Sequence, residues 1–132
     1  IAINFQNGFL KLYENWKFQL PDGLNMPVSQ MLRSHYDGLE EKFGYKPKIS
    51  KWEVIFPTMD KLAKRGDFKN AIDILKYCVE LYPESDQAYA FLAKAHFDTG
   101  KFELGKKYLE KSLEINPDNK FAQRIKMMIE KK

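Results

Sequence analysis

The sequence predicts an all-α fold in which pairs of helices stack into a superhelix, with about seven helices in all. The first observation is an internal repeat: "GDFKNAIDILKYCVELYPES" at 66–85 recurs in similar form as "GKFELGKKYLEKSLEINPDN" at 100–119. The second is that apolar residues in each copy recur at helical spacing. The third is that each copy opens with a glycine, which is typical of the end of the preceding helix, and has a proline after its apolar part, which is typical of the end of the following helix. A fixed period of this kind indicates stacked, equivalent helical units.

The composition narrows the functions that the chain can have. Hydrophobic residues make up 44% of its 132 residues and charged residues 30%, as in a single globular domain. The 22 basic and 18 acidic residues are interleaved, so we predict no nucleic-acid partner. The single cysteine excludes an internal disulfide and a paired-cysteine metal site, and we predict no metal or other cofactor. No apolar run approaches the roughly 20 residues of a membrane span, so we predict no membrane partner.

The first predicted helix, at 5–18, is unusually apolar for the end of a chain. Its large side chains are Phe5, Phe9, Leu12, Tyr13, Trp16 and Phe18. An exposed patch of this kind needs a partner, so we expect the helix to dock on the repeats or to mediate self-association. The chain has no initiator methionine and no signal-peptide pattern, and we expect it to be a piece of a longer protein.

The second predicted helix begins at Pro27 and ends near Gly44. One face carries a predicted apolar stripe made of Val28, Met31, Leu32, His35, Leu39 and Phe43. The turn-rich segment at 19–27 separates this helix from the first one.

The first repeat opens with a capping signal and contains one anomaly. Ser50, followed three residues later by Glu53, forms the pattern of a capping box. Pro57 lies inside the helix that Ser50 opens. Because proline lacks the N–H group that an interior turn needs, we expect a kink or a late start there.

The second repeat gives a cleaner pair of helices, followed by a capping helix. Its first helix has a predicted buried stripe made of Tyr89, Leu92, Ala93 and His96. Gly100 should adopt the left-handed conformation at the turn, and Pro117 should end the second helix. The last helix should begin at Asp118 as its N-cap, with a stripe made of Phe121, Ile125, Met128 and Ile129.

These landmarks resemble the tetratricopeptide repeat, a helix–turn–helix unit. The second copy matches the family pattern at Tyr89, Leu92, Ala93, Gly100, Leu109 and Pro117. The first copy departs from it, with Ile55, Thr58 and Met59 in place of an aromatic residue, a leucine and a small residue. The resemblance implies repeats at 52–85 and 86–119 with a capping helix after them, and a role in binding a protein or peptide.

In this family the first helix of each repeat lines a concave groove that contacts partners. Carried onto this chain, the groove positions are Glu53, Phe56, Asp60, Lys64, Gln87, Phe91, Lys94, Asp98 and Arg124. Phe56 and Phe91 are expected as exposed aromatic anchors at equivalent places. The alternative is that the helix at 27–44, or a parent protein, covers them. The family's carboxylate clamp for chaperone C-termini needs Lys and Asn where this chain has Phe56, Asp60 and Phe91, so a chaperone adaptor is not expected.

The first fifty residues carry a second resemblance. "NGFLKLYENWKFQLP" at 7–21 and "SHYDGLEEKFGYKPKIS" at 34–50 are similar to the C-terminal part of bacterial putative esterases, siderophore-esterase-like members of the α/β-hydrolase superfamily. The matching positions are Asn7, Gly8, Phe9, Tyr13, Trp16 and Lys17, then His35, Tyr36, Leu39, Phe43 and Gly44. The resemblance implies that residues 1–20 are the remnant of the last helix of an upstream catalytic domain, that 21–51 are a linker and connecting helix, and that 52–132 are the repeats with their cap.

Catalysis by the chain itself is not predicted. It contains no GxSxG elbow, P-loop, dinucleotide fingerprint or HExxH motif. His35 and His96 fall on apolar helical faces and Cys78 faces a partner helix, so packing roles are expected for all three. Two functions remain open. The chain is either a non-catalytic interaction module of a serine esterase, with the upstream domain as a possible partner, or a free-standing adaptor for a peptide or protein.

Overall fold

The computed structural model describes residues 17–131, which form six α-helices and one π-helical turn. In chain order these are α1 (Val28–Phe43), the π turn (Lys51–Ile55), α2 (Phe56–Lys64), α3 (Phe68–Leu81), α4 (Asp86–Asp98), α5 (Phe102–Ile115) and α6 (Lys120–Glu130). No strand occurs in this part of the chain, and the predicted all-α class is confirmed. The helix expected at 5–18 falls outside the described residues except for Lys17 and Phe18, which are not helical.

Helices that follow one another in the chain pack against one another. From α2 to α6 each helix contacts the next, α4 and α5 make the most extensive contact, and α4 also packs against α6. Two cores result, one from Phe18 to Leu92 and a smaller one around Leu109 and Ile125. None of the described helices is long and apolar enough to cross a membrane.

Both repeats turn between their helices by the same glycine motif. Gly66 and Gly100 have φ values of 78° and 80°, in the left-handed region. Lys101 N–H donates to the His96 carbonyl oxygen at 2.8 Å and Gly100 N–H to that of Phe97 at 3.2 Å, which is the Schellman pattern. The equivalent bonds in the first repeat join Asp67 to Leu62 and Gly66 to Ala63. The prediction that Gly100 has a positive φ is confirmed.

The predicted irregularity at Pro57 is confirmed, and it takes the form of the π turn. Ser50 caps this turn by accepting a hydrogen bond from Glu53 N–H at 3.2 Å, which confirms the Ser50 half of the predicted box. Phe56 N–H donates to the Lys51 carbonyl oxygen, five positions back. Pro57 then lies in the first turn of α2, where its missing N–H costs nothing.

The π turn accommodates one extra residue in the first repeat. The interval from the cap Ser50 to the cap Ser85 is longer by one position than the interval from Ser85 to the cap Asn119. The interval from Gly66 to Gly100 equals the shorter of the two. The extra residue therefore lies between Ser50 and Gly66, where the wider hydrogen-bonded turn of a π-helix replaces an α-helical one.

Helix α1 packs along α3, the second helix of the first repeat. Pro27 cannot cap α1 with its side chain, and two side chains of α3 do so instead: Asn70 and Asp73 accept hydrogen bonds from the N–H groups of Val28 and Ser29, at 3.3 and 2.8 Å. The helix ends at Gly44, with φ 71°, as predicted.

Three details of the predicted stripes and caps are wrong. Phe43 is largely exposed because it lies in the last turn of α1, beyond the reach of α3; the buried residues of α1 are Val28, Leu32 and Tyr36. Asn119, not Asp118, caps α6, since its side-chain oxygen accepts from Ala122 N–H at 2.9 Å. Met128 is exposed because the buried side of α6 is formed by Ala122 and Ile125.

Candidate functional site

A row of four aromatic rings crosses the first helices of the two repeats and the last helix. Ring centroids are 5.2 Å apart between Trp52 and Phe56, 5.0 Å between Phe56 and Phe91, and 5.2 Å between Phe91 and Phe121. The rings of each pair are inclined at 84°, 72° and 55°, respectively. Inclined aromatic pairs add about 0.5–1.5 kcal/mol each to the effect of burial. These four residues are called the aromatic row below.

The exposure predicted for Phe56 is wrong. Only 7% of its surface is accessible, because the period of the repeat aligns Phe56 with Ala90, which is fully buried in α4. The ring therefore points into the core and supports its neighbours. Trp52, at 60% exposure, is the most accessible ring of the row, and Phe91 and Phe121 are half-buried.

Helix α1 does not bury the row. It packs against α3, and Phe91 remains partly accessible between Phe56 and Phe121. The alternative that the helix at 27–44 buries Phe91 is therefore wrong.

Two ion pairs stand at equivalent positions of the two repeats with their charges reversed. Asp60 pairs with Lys64 at 2.9 Å, and Lys94 pairs with Asp98 at 2.5 Å. Positions 60 and 94 are repeat equivalents, as are 64 and 98. These four side chains add no net charge, and exposed pairs of this kind contribute little to stability. The rings, and not a net charge, are therefore the distinguishing feature of these helices.

The other predicted groove residues do not form one cluster. Glu53 lines a cavity of about 70 Å³ with Lys17 and Tyr36, on the side of α1. Lys94 and Asp98 line a cavity of about 310 Å³ between α4, α5 and α6. Gln87 is half-buried and Arg124 is exposed, and neither lines these two cavities.

Trp52 and Phe121 were not among the predicted groove residues. Phe121 lies one full period after Gln87, a position already assigned to the groove, so the period itself could have identified it. Trp52 is not aligned with Gln87 by the period. It is aligned when positions are counted from the caps, because Trp52, Gln87 and Phe121 each come second after Ser50, Ser85 and Asn119.

His96 and Cys78 are buried and His35 is half-buried against neighbouring rings, so all three have the packing roles that the sequence predicts. His96 is 1% exposed and stacks on Tyr108 with a centroid distance of 5.2 Å. His35 meets the edges of Phe18 and Tyr36, at 5.7 and 5.1 Å. Cys78 is fully buried, and burial raises the pKa of its thiol to about 11 despite the opposing charge of Lys51. A thiol with this pKa is protonated at neutral pH and is a poor nucleophile.

Comparison with known families identifies the repeats. The profile of the tetratricopeptide repeat matches residues 62–127, which is half of the chain. The matched range begins in α2 and ends in α6, so it contains both glycine turns and two rings of the aromatic row. No curated protein and no solved structure matches the chain.

Proposed function

The chain belongs to the tetratricopeptide repeat family, and from this premise we propose that it binds a protein or peptide along the aromatic row. Members of the family generally bind such partners and are typically non-catalytic. The observation that carries the proposal is the continuity of the row: four rings contact one another in series across the π turn, α2, α4 and α6. Three of these rings keep accessible surface, which a partner could cover.

The row has the properties of a binding anchor. Aromatic side chains lose little conformational entropy when they are covered, and they dominate the energetics of interfaces. Phe56, buried beneath Trp52 and Phe91, holds both rings in place, so little ordering is left for the moment of binding. The ion pairs Asp60–Lys64 and Lys94–Asp98, on the same two helices as Phe56 and Phe91, are each neutral. The proposed ligand is therefore an extended or helical segment with large apolar side chains, with no requirement for a strong charge.

A displayed peptide library provides the test, because the ligand is not known in advance. Peptides selected on the chain should bind less tightly to Trp52→Ala and Phe91→Ala, by about 1–3 kcal/mol, as for the loss of an aromatic anchor. Titration calorimetry gives the affinities, and circular dichroism shows whether helical content is kept.

Tyr45→Ala is the matched control, because Tyr45 is an equally exposed aromatic residue outside the row. It should bind the selected peptides as the parent chain does. Selected peptides that bind Trp52→Ala and Phe91→Ala with unchanged affinity would refute the proposal.

We further propose that the chain serves as the C-terminal interaction module of a serine esterase, in which the module positions partners or shapes access to the catalytic domain. The support is the similarity of 7–21 and 34–50 to that group of enzymes. A free-standing adaptor is the alternative. The coding sequence upstream of Ile1 decides between them: the esterase origin requires a GxSxG elbow and, just before Ile1, a histidine.

A further inference from the structure

Two lysines converge on one tyrosine ring where the connector after α1 meets the first repeat. The ammonium nitrogen of Lys48 lies 5.5 Å from the centroid of the Tyr82 ring, and that of Lys51 lies 5.3 Å from it. The Tyr82 hydroxyl donates a hydrogen bond to the Ile49 carbonyl oxygen at 2.5 Å, which ties the ring to the backbone between the two lysines. The negative face of the ring attracts both cations, so two ammonium groups lie around one side chain.

Other basic side chains of this region form ion pairs with carboxylates. Lys46 pairs with Asp37 and Arg33 pairs with Glu80, each at 2.8 Å. Within residues 17–131, by contrast, no carboxylate forms an ion pair with Lys48 or Lys51. Two cations at this surface are therefore left without an anionic partner, which a bound anion would supply.

The surface around Tyr82 also offers apolar contact. Lys48, Lys51, Trp52 and Tyr82 line a depression of about 260 Å³. A second depression, of about 230 Å³, shares Lys48 and Tyr82 with the first, and its lining includes the apolar side chains of Ile49 and Leu81. Trp52 and Leu81 are both exposed. We call Lys48, Lys51, Trp52, Leu81 and Tyr82 the lysine–tyrosine surface.

We propose that the lysine–tyrosine surface binds an acidic peptide segment in which carboxylates flank a large apolar residue. The carboxylates pair with Lys48 and Lys51, and the apolar side chain enters a depression beside Tyr82. This inference goes beyond the proposed function, because the lysines lie outside the aromatic row and the peptide is recognised by charge.

The observations favour a peptide over an anionic membrane. A membrane-binding surface presents a broad apolar face whose lysines extend towards the lipid headgroups. Here the two ammonium groups are held over a ring beside small depressions, and Asp37 and Glu80 lie close by on the paired cations. Those carboxylates would be repelled by an anionic bilayer, whereas a short peptide need not contact them.

A defined probe tests the proposal on the full chain. The probe is a fluorescein-labelled peptide with one phenylalanine between two pairs of glutamates, and its neutral counterpart carries glutamines instead. Fluorescence anisotropy should show binding of the acidic probe that weakens as salt is added, and no binding of the neutral one. Lys48→Ala with Lys51→Ala should weaken binding by about tenfold, the combined effect of two partly exposed charge contacts.

Two further variants separate a specific site from general attraction. Lys107→Ala with Lys111→Ala removes the same net charge from the exposed side of α5 and should leave the affinity within about twofold. Lys48→Arg with Lys51→Arg keeps both charges and should retain binding. The proposal is overturned if the acidic probe does not bind or if both alanine pairs weaken it equally. It is also overturned if the lysines mediate binding to phosphatidylserine vesicles and not to the peptide. Trp52 belongs to both surfaces, so Phe91→Ala separates the two proposals. It should weaken the library-selected peptides and leave binding of the acidic probe unchanged, whereas Lys48→Ala with Lys51→Ala should do the reverse.

Discussion

Replacing Gly100 by alanine should destabilise the protein although the added methyl group meets no other atom. Gly100 has a φ of 80°, and nothing lies within 4 Å of the position that a Cβ atom would take. The loss of stability therefore comes from the backbone conformation, because an L-residue in the left-handed region is less favourable by about 1–2 kcal/mol. Alanine also reduces the entropy of the unfolded chain, which returns about 0.4–1 kcal/mol. We expect a net loss of about 1 kcal/mol in the free energy of unfolding.

The same substitution at Gly38 is the matched control, and it should have the opposite sign. Gly38 lies inside α1, has no positive φ, and has nothing within 4 Å of its Cβ position. Alanine there should stabilise the protein by about 0.5–1 kcal/mol through helix propensity. Urea unfolding followed by circular dichroism measures both changes. If Gly100→Ala is as stable as the parent chain, or if Gly38→Ala is equally destabilised, the reasoning from backbone conformation is wrong.

The remaining predictions concern protonation, hydrogen bonding and catalysis. Both ring nitrogens of His96 are buried and lack a hydrogen-bond partner among the described residues, and burial, helped by Lys76 and Lys101, lowers the pKa of His96 below 6.5. Below about pH 6.5 the unfolded chain therefore binds a proton at His96 more readily than the folded chain does, and the Tm should fall as the pH drops through this range. The fall should be less steep in His96→Phe, which has no imidazole to protonate. Burial opposes ionisation of Asp86, but hydrogen bonds from Asn116 and Asn119 outweigh it and lower the pKa of Asp86. Asp86→Ala should thus lower the free energy of unfolding, measured in urea, by about 2 kcal/mol, and the control Asp118→Ala by less than about 0.5 kcal/mol. The stability that the Asp86 carboxylate contributes should be lost only as the pH falls below about 3.8. The chain should hydrolyse nitrophenyl acetate no faster than free imidazole does, and turnover abolished by replacing His35 or His96 would contradict this.

Most of the fold could be predicted because its signals are local. The glycines that end the first helices, the proline after each repeat and the apolar spacing of α3 to α5 each determine structure over a short stretch of chain. The period of the repeat then gives the order of packing. The cap of α6 could not be predicted as reliably, because Asp118 and Asn119 are both good caps and only the geometry of Asn116–Asn119 chooses between them.

The candidate site was harder to predict because it depends on where one extra residue is placed. Alignment at a strict period pairs Glu53 with Gln87 but pairs Phe56 with the buried Ala90, whereas counting from the caps Ser50 and Ser85 pairs Phe56 with Phe91. The π turn places the extra residue between Ser50 and Gly66. Repeat equivalents at the start of this segment must therefore be found by counting forwards from the cap Ser50, and those after the π turn by counting backwards from Gly66. Counted this way, Trp52 becomes equivalent to Gln87 and Phe121, and Phe56 to the buried Ala90. The cause is Pro57, whose missing N–H favours an irregular turn at this point of the helix. The extra residue in this turn thus explains why Trp52, and not Glu53, is equivalent to Gln87 and Phe121.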